Sequence, residues 1–128
     1  MKENRKTLGT QGEMIVQKHL ERLGWQVLLR NFRCAAGEMD VIAEEPTTPL
    51  PTLVFVEVKT RRGQKHGTPA EAVHPQKQAK LIAIAQAYLA ERNAGGEEPN
   101  CRFDVAEVRV GGDGLATVTL QKAAFGGE

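Results

Sequence analysis

At 128 residues the chain has the commonest size of a single folded unit, and two complete hydrophobic cores would be cramped within it. Apolar residues make up 41% and charged residues 26%, an ordinary globular balance that excludes the disordered and fibrous classes. The formal net charge is only +1, but residues 1–80 hold 13 Lys/Arg against 9 Asp/Glu while residues 81–128 hold 4 against 7. The first part is the basic one, a distribution that suits a phosphate backbone and equally describes a solvated mixed-charge surface.

In chain order, Leu8, Ile15, Val16, Leu20 and Leu23 recur at helical spacing. Thr7 is placed to cap the start and Gly24 to stop the helix, which predicts a first helix over about 8–23. Three runs with strand character follow, Trp25–Phe32, Glu38–Glu44 and Leu53–Arg61, separated by CAAG and PTTPLPT; they read as an antiparallel meander. Pro75–Asn93 opens on proline and continues in good helix formers, with Leu81, Ile82, Ile84, Ala85, Tyr88 and Leu89 as its apolar positions; this is a second long helix. Arg102–Val110 and Leu115–Lys122 alternate in polarity around GGDG, as a hairpin does. The expected order is α-β-β-β-α-β-β in an α/β fold, with no internal repeat.

Cys34 and Cys101 stand far apart without a C-x-x-C pair, so neither a zinc site nor a disulfide framework is expected. The basic N-terminus lacks an apolar segment behind it, and no window approaches 18 consecutive apolar residues. A cytoplasmic location is the expectation.

The chemistry lies in the meander. Strand periodicity puts Leu53, Phe55, Glu57 and Lys59 on one face of the third strand and Val54, Val56, Val58 and Thr60 on the other. One face is wholly apolar; the other turns abruptly charged at Glu57, and such conflicts with local patterning mark functional sites. On the second strand Glu38, Asp40 and Ile42 share a face, and Met39, Val41 and Ala43 the other, so Asp40 is a second acid entering apolar surroundings. If the two strands pair, Asp40 and Glu57 can meet, and adjacent carboxylates repel unless protonated or bridged by a cation. Oxygen ligands without His or Cys favour Mg²⁺, with Mn²⁺ as a substitute, the ion of phosphodiester hydrolysis. Lys59 would orient water or neutralise developing charge. The alternative is a structural Glu–Lys salt bridge.

Glu13 falls three and seven residues before Val16 and Leu20, on the apolar side of the first helix. It is part of the acidic site, or a solvated residue at the edge of the stripe, or a cap of the preceding TQG turn. His19, His66 and His74 lack the spacing of metal ligands, and Trp25 is a core residue rather than a base-stacking platform.

The arrangement Asp40-x16-Glu57-Val58-Lys59 resembles the PD-(D/E)xK nuclease superfamily. More widely, GEMIVQKHLERLGWQVLLRNFRCAAGEMDVIA, LVFVEVKTRRGQKHGTPAEAV, Lys77 and the late RFDV resemble the YraN family of predicted endonucleases, over about residues 8–110. That family is similar to archaeal Holliday-junction resolvases. The resemblance implies one restriction-endonuclease-like domain over 1–128, a mixed sheet flanked by helices. It implies a site in which Glu13, Asp40 and Glu57 hold the metal together with the Val58 carbonyl, and Lys59 completes the catalytic set. His66 departs from the family pattern, where an aromatic is usual before Gly67.

Arg30, Arg33, Arg61, Arg62, Lys65 and Lys77 are candidates for contacts to DNA phosphates, Arg61 and Arg62 foremost because they leave the active face with the acids; Lys77 alternatively sits in a solvated first helical turn. The expected function is metal-dependent hydrolysis of DNA, branched or junction DNA included, and a homodimer would supply two sites for two-stranded cuts. The alternative is a nucleic-acid- or partner-binding module that keeps the nuclease fold, in line with the modest net charge.

Overall fold

A computed structural model describes residues 5–62, 73–93 and 99–125. The elements are α1 (Arg5–Arg22), β1 (Gln26–Cys34), β2 (Gly37–Glu45), β3 (Thr52–Arg62), α2 (Pro75–Asn93), β4 (Asn100–Val110) and β5 (Ala116–Phe125). The order is the expected one. Helix α1 begins before Thr7, which therefore lies inside the helix rather than capping it. Its other end is as the sequence predicts: Gly24 has φ 90, the Gly24 N–H donates to the Glu21 carbonyl and the Trp25 N–H to the Leu20 carbonyl, both at 3.0 Å. This is the paired bonding of a left-handed glycine stop. Leu23 ends up 52% exposed, because it stands at the helix end and not on the stripe.

All five strands form one sheet in sequential order, β1-β2-β3-β4-β5. The first three strands are antiparallel, β4 runs parallel to β3, and β5 returns antiparallel. The parallel step requires a crossover, and α2 is in it. Leu81, Ile84 and Ala85 of α2 bury against Ile42, Leu53, Phe55 and Val105. Val16 and Leu20 of α1 bury against Val41, Val54, Val56, Ala106 and Val108 on the opposite face. The sheet is thus covered on both sides, and β3 in its centre is apolar on both faces. Among the described residues no helix is long and apolar enough to cross a membrane.

The alternation expected for β3 holds, since Leu53 and Phe55 face α2 while Val54, Val56 and Val58 face α1. That of β2 fails at one point. Met39 packs in the α2 cluster with Ile42, whereas Val41 and Ala43 pack in the α1 cluster. The side chains change faces at Asp40. Asn31, which falls opposite it between the Arg30↔Val41 and Phe32↔Met39 pairs, has φ 57, a conformation that Asn tolerates better than most residues. Both strands of the hairpin are irregular where the acids are placed.

The candidate acidic site

The β2–β3 ladder runs from Glu45↔Thr52 to Val41↔Val56 and ends there. Continuing that register by one step sets Asp40 opposite Glu57, just beyond the last backbone pair. The Asp40 carboxylate completes the ladder with a side chain: its Oδ2 accepts the Val58 N–H at 2.8 Å. The irregularity in β2 is what frees Asp40 to reach sideways along the sheet.

Glu57 is buried, at 4% exposure. Two ammonium groups approach the same oxygen, Lys59 Nζ at 3.5 Å and Lys77 Nζ at 3.3 Å from Oε2. The Glu57–Lys59 salt bridge is therefore present. It accounts for one acid of the two. The neighbours that act electrostatically on Asp40 are carboxylates, Glu57 and then Glu13. Burial and the charge of Glu57 push Asp40 up to about 8, against the Val58 N–H, which pulls it down; a side-chain hydrogen bond to Glu57 raises it further. One proton held between two acids is the usual resolution of such crowding.

Glu13 arrives from the other layer. Gly12 is buried on the sheet-facing side of α1, and a Cβ there would collide with the Thr60 hydroxyl and touch Val58. Glycine lets α1 approach β3 closely, which brings the next residue to the open end of the hairpin. Burial raises the Glu13 carboxyl, a hydrogen bond with Asn31 lowers it, Glu38 raises it, Arg30 lowers it and Glu57 raises it. Glu13 thus shares the electrostatic environment of Asp40 and Glu57 rather than capping its own turn. Among the described residues, no three His, Cys, Asp or Glu side chains form a ready-made metal cluster; Asp40 and Glu57 are in contact, and Glu13 interacts with both through its charge.

The proposed phosphate contacts divide. Lys77 stands in the first turn of α2, as its sequence allows, and reaches the Glu57 carboxylate from there. Arg30 acts on Glu13. Arg33 pairs with Glu38 at 3.5 Å on the surface. Arg61 bonds to Glu107 at 3.2 Å, Arg62 is exposed at the end of β3, and Lys65 and His66 lie outside the described residues. Trp25 is core, 5% exposed, with Arg102 and Lys122 each 5.5 Å from its ring centre.

Three residues escaped the sequence reading. Asn31 holds Glu13, and its signal was a poor strand former between Arg30 and Phe32. Glu107 is a buried acid on the α2 face of β4; its signal was the same interruption as at Glu57, an acid following Phe103 and Val105 at period two. Asp104, wholly buried, is structural. Arg102 grips it through Nε and Nη2 at 2.8 and 2.9 Å, and the Ala123 N–H donates to it at 3.0 Å. Arg102 also meets Glu45 at 2.6 Å, so the RFDV segment ties β2, β4 and β5 together.

The profile of the uncharacterised protein family UPF0102 matches residues 12–108, a span that holds every member of the acid site. A UPF0102 protein of Symbiobacterium thermophilum is 45% identical over 118 residues, 92% of this chain and 95% of its own length. One of Caldanaerobacter subterraneus is 42% identical over 121 residues, covering 94% and 92%. A third, from Syntrophotalea carbinolica, is 47% identical over 109 residues, covering 85% and 84%.

Proposed function

This chain belongs to the UPF0102 family, and for it we propose metal-dependent hydrolysis of phosphodiester bonds in DNA, on a fold of the restriction-endonuclease type. The observation that carries the reading is Asp40, a carboxyl buried among other carboxyls and raised to about 8 by burial and by Glu57. Such a position is unfavourable for a metal-free protein above neutral pH and favourable for one that binds a divalent cation there.

The donor set fits the group. Asp40 and Glu57 would hold Mg²⁺, with Glu13 and the Val58 carbonyl as the further ligands that the superfamily resemblance implies. Carboxylate and carbonyl oxygens are what this hard cation takes. When bound, it supplies electrophilic activation of a phosphoryl oxygen and a more acidic water.

The chain's own residues do the rest. Lys59, two residues along the same face, places an ammonium beside the acids to steady an anionic transition state. Lys77 comes from the first turns of α2 to the same oxygen of Glu57, and limits the net negative charge that an incoming phosphate meets. Phe55 and Ile42, buried behind the acids, exclude water from that side. The open end of the hairpin is the way in. Branched DNA is the substrate class that the resemblance to junction resolvases implies.

The test is cleavage of labelled four-way junction, flap, single-stranded and linear duplex DNA with Mg²⁺ or Mn²⁺, beside Glu57→Ala. Metal-dependent cutting that disappears in Glu57→Ala supports the reading. DNA binding by folded protein, indifferent to chelators and to Glu57→Ala and without cutting, replaces it with the binding-module reading.

A further inference from the structure

Beyond the acid pair, on the same face of the sheet, a second polar cluster is built into β3 and β4. Glu107 is 3% exposed and stands in register with Lys59. Its two oxygens each hold one guanidinium: Oε1 accepts from Arg109 Nη2 at 2.8 Å and Oε2 faces Arg61 Nε at 3.2 Å. Arg61 and Arg109 are themselves register partners on adjacent strands. Among the described residues, one buried carboxylate therefore holds two guanidinium groups side by side.

A fold has little reason of stability to keep this arrangement, because apolar residues of similar volume in place of a buried ion cluster are often neutral or stabilising. It does have a use. A guanidinium carries five N–H donors in a planar fork, suited to phosphate oxygens, and a side chain already held in place loses less entropy on binding. The side chains are reachable, Arg61 being 43% and Arg109 25% exposed.

We propose that Glu107 presents Arg61 and Arg109 as a clamp for a phosphodiester of the nucleic-acid backbone that flanks the one at the acid pair. Arg61 is four residue steps along β3 from Glu57, about 13 Å at a rise of about 3.3 Å per residue. The anion bound there is a neighbour along the same strand and not the reacting group. Arg109 and Glu107 thereby become positioning residues for the register of the substrate. The inference rests on the proposed nuclease reading for its meaning, but not for its measurement.

The experiment is binding of a labelled 20-base-pair duplex by the full chain in EDTA, where cutting is absent, between 50 and 200 mM salt. Each lost phosphate contact lowers the slope of log K against log salt by about 0.9. Arg61→Ala/Arg109→Ala removes both cations from one phosphodiester and is expected to lower the slope by about 0.9 and to weaken binding at least tenfold at the low-salt end. Arg61→Lys/Arg109→Lys restores the slope, while Glu107→Gln, close to glutamate in volume and checked for folding by circular dichroism, weakens binding. An unchanged slope in the folded double-alanine variant overturns the clamp even if the protein cuts DNA. A changed slope with no cutting under Mg²⁺ or Mn²⁺ supports the clamp and rejects the nuclease. No DNA binding by the wild type overturns both.

Discussion

Asp40→Asn makes the chain more stable above neutral pH while removing its proposed chemistry. The sign follows from the carboxyl's two states. In the unfolded chain Asp40 titrates near 3.8, and in the fold it is raised to about 8 by burial and Glu57. Between those values the folded form keeps a proton that the unfolded form has lost, so stability falls as pH rises through the window. At about 1.4 kcal/mol per pH unit, the span sets a ceiling of about 6 kcal/mol. The shared proton spreads that strain over both acids, and a single substitution recovers a part of it, about 2 kcal/mol. The asparagine side chain of Asp40→Asn keeps an oxygen for the Val58 N–H, which the Asp40 carboxylate accepts in the wild type, and its amide donates to Glu57 as the protonated acid would.

The assay is thermal unfolding in EDTA at pH 5 and pH 8. At pH 8 the Asp40→Asn protein should melt about 8 °C above the wild type, since a chain of this size shifts by about 4 °C per kcal/mol; at pH 5 the gap should narrow. Excess Mg²⁺ should raise the wild-type midpoint at pH 8 through linkage and leave the variant nearly unmoved. Equal midpoints at both pH values, or a variant less stable than the wild type at pH 8, would refute the claim that the acids repel in the metal-free fold.

Lys77→Ala should lower cleavage at least tenfold, with Lys77→Arg recovering part, if its contact with Glu57 serves the reaction; activity assays on the folded variants decide this. Gly12→Val should cost at least about 2 kcal/mol of stability through the collision with Thr60, as overpacking does. Denaturant unfolding should show Thr60→Ala relieving part of the cost in the double variant. Arg102→Ala leaves the wholly buried Asp104 without its cation and should destabilise by about 3–5 kcal/mol, read in the same unfolding assay. Gly24→Ala forces a side chain into the left-handed end of α1 and should cost about 1 kcal/mol.

Periodicity alone located the elements, because whether a residue points into the sheet's core is decided within its own strand or helix. The faces of β3 follow from period two, so Glu57 and Lys59 stand out against Leu53 and Phe55 before any partner strand is known. The end of α1 follows from Gly24, and α2 from Pro75 and its buried Leu81, Ile84 and Ala85. The chemical types of Asp40, Glu57 and Lys59 were likewise legible, since they are acids and a lysine where core residues belong.

What the strand pattern misplaced was Met39. It packs on the α2 side with Ile42, while Val41 and Ala43 pack on the α1 side, an irregularity beside Asp40 that the pairing of the strands sets. The contact of Asp40 with Val58, the approach of Glu13 over Gly12, the capture of Lys77 by Glu57 and the grouping of Arg61, Arg109 and Glu107 all join residues far apart in the chain. Each depends on strand register or on where a helix crosses the sheet. Those are long-range quantities, chosen when the two cores pack, and only the tertiary structure decides them.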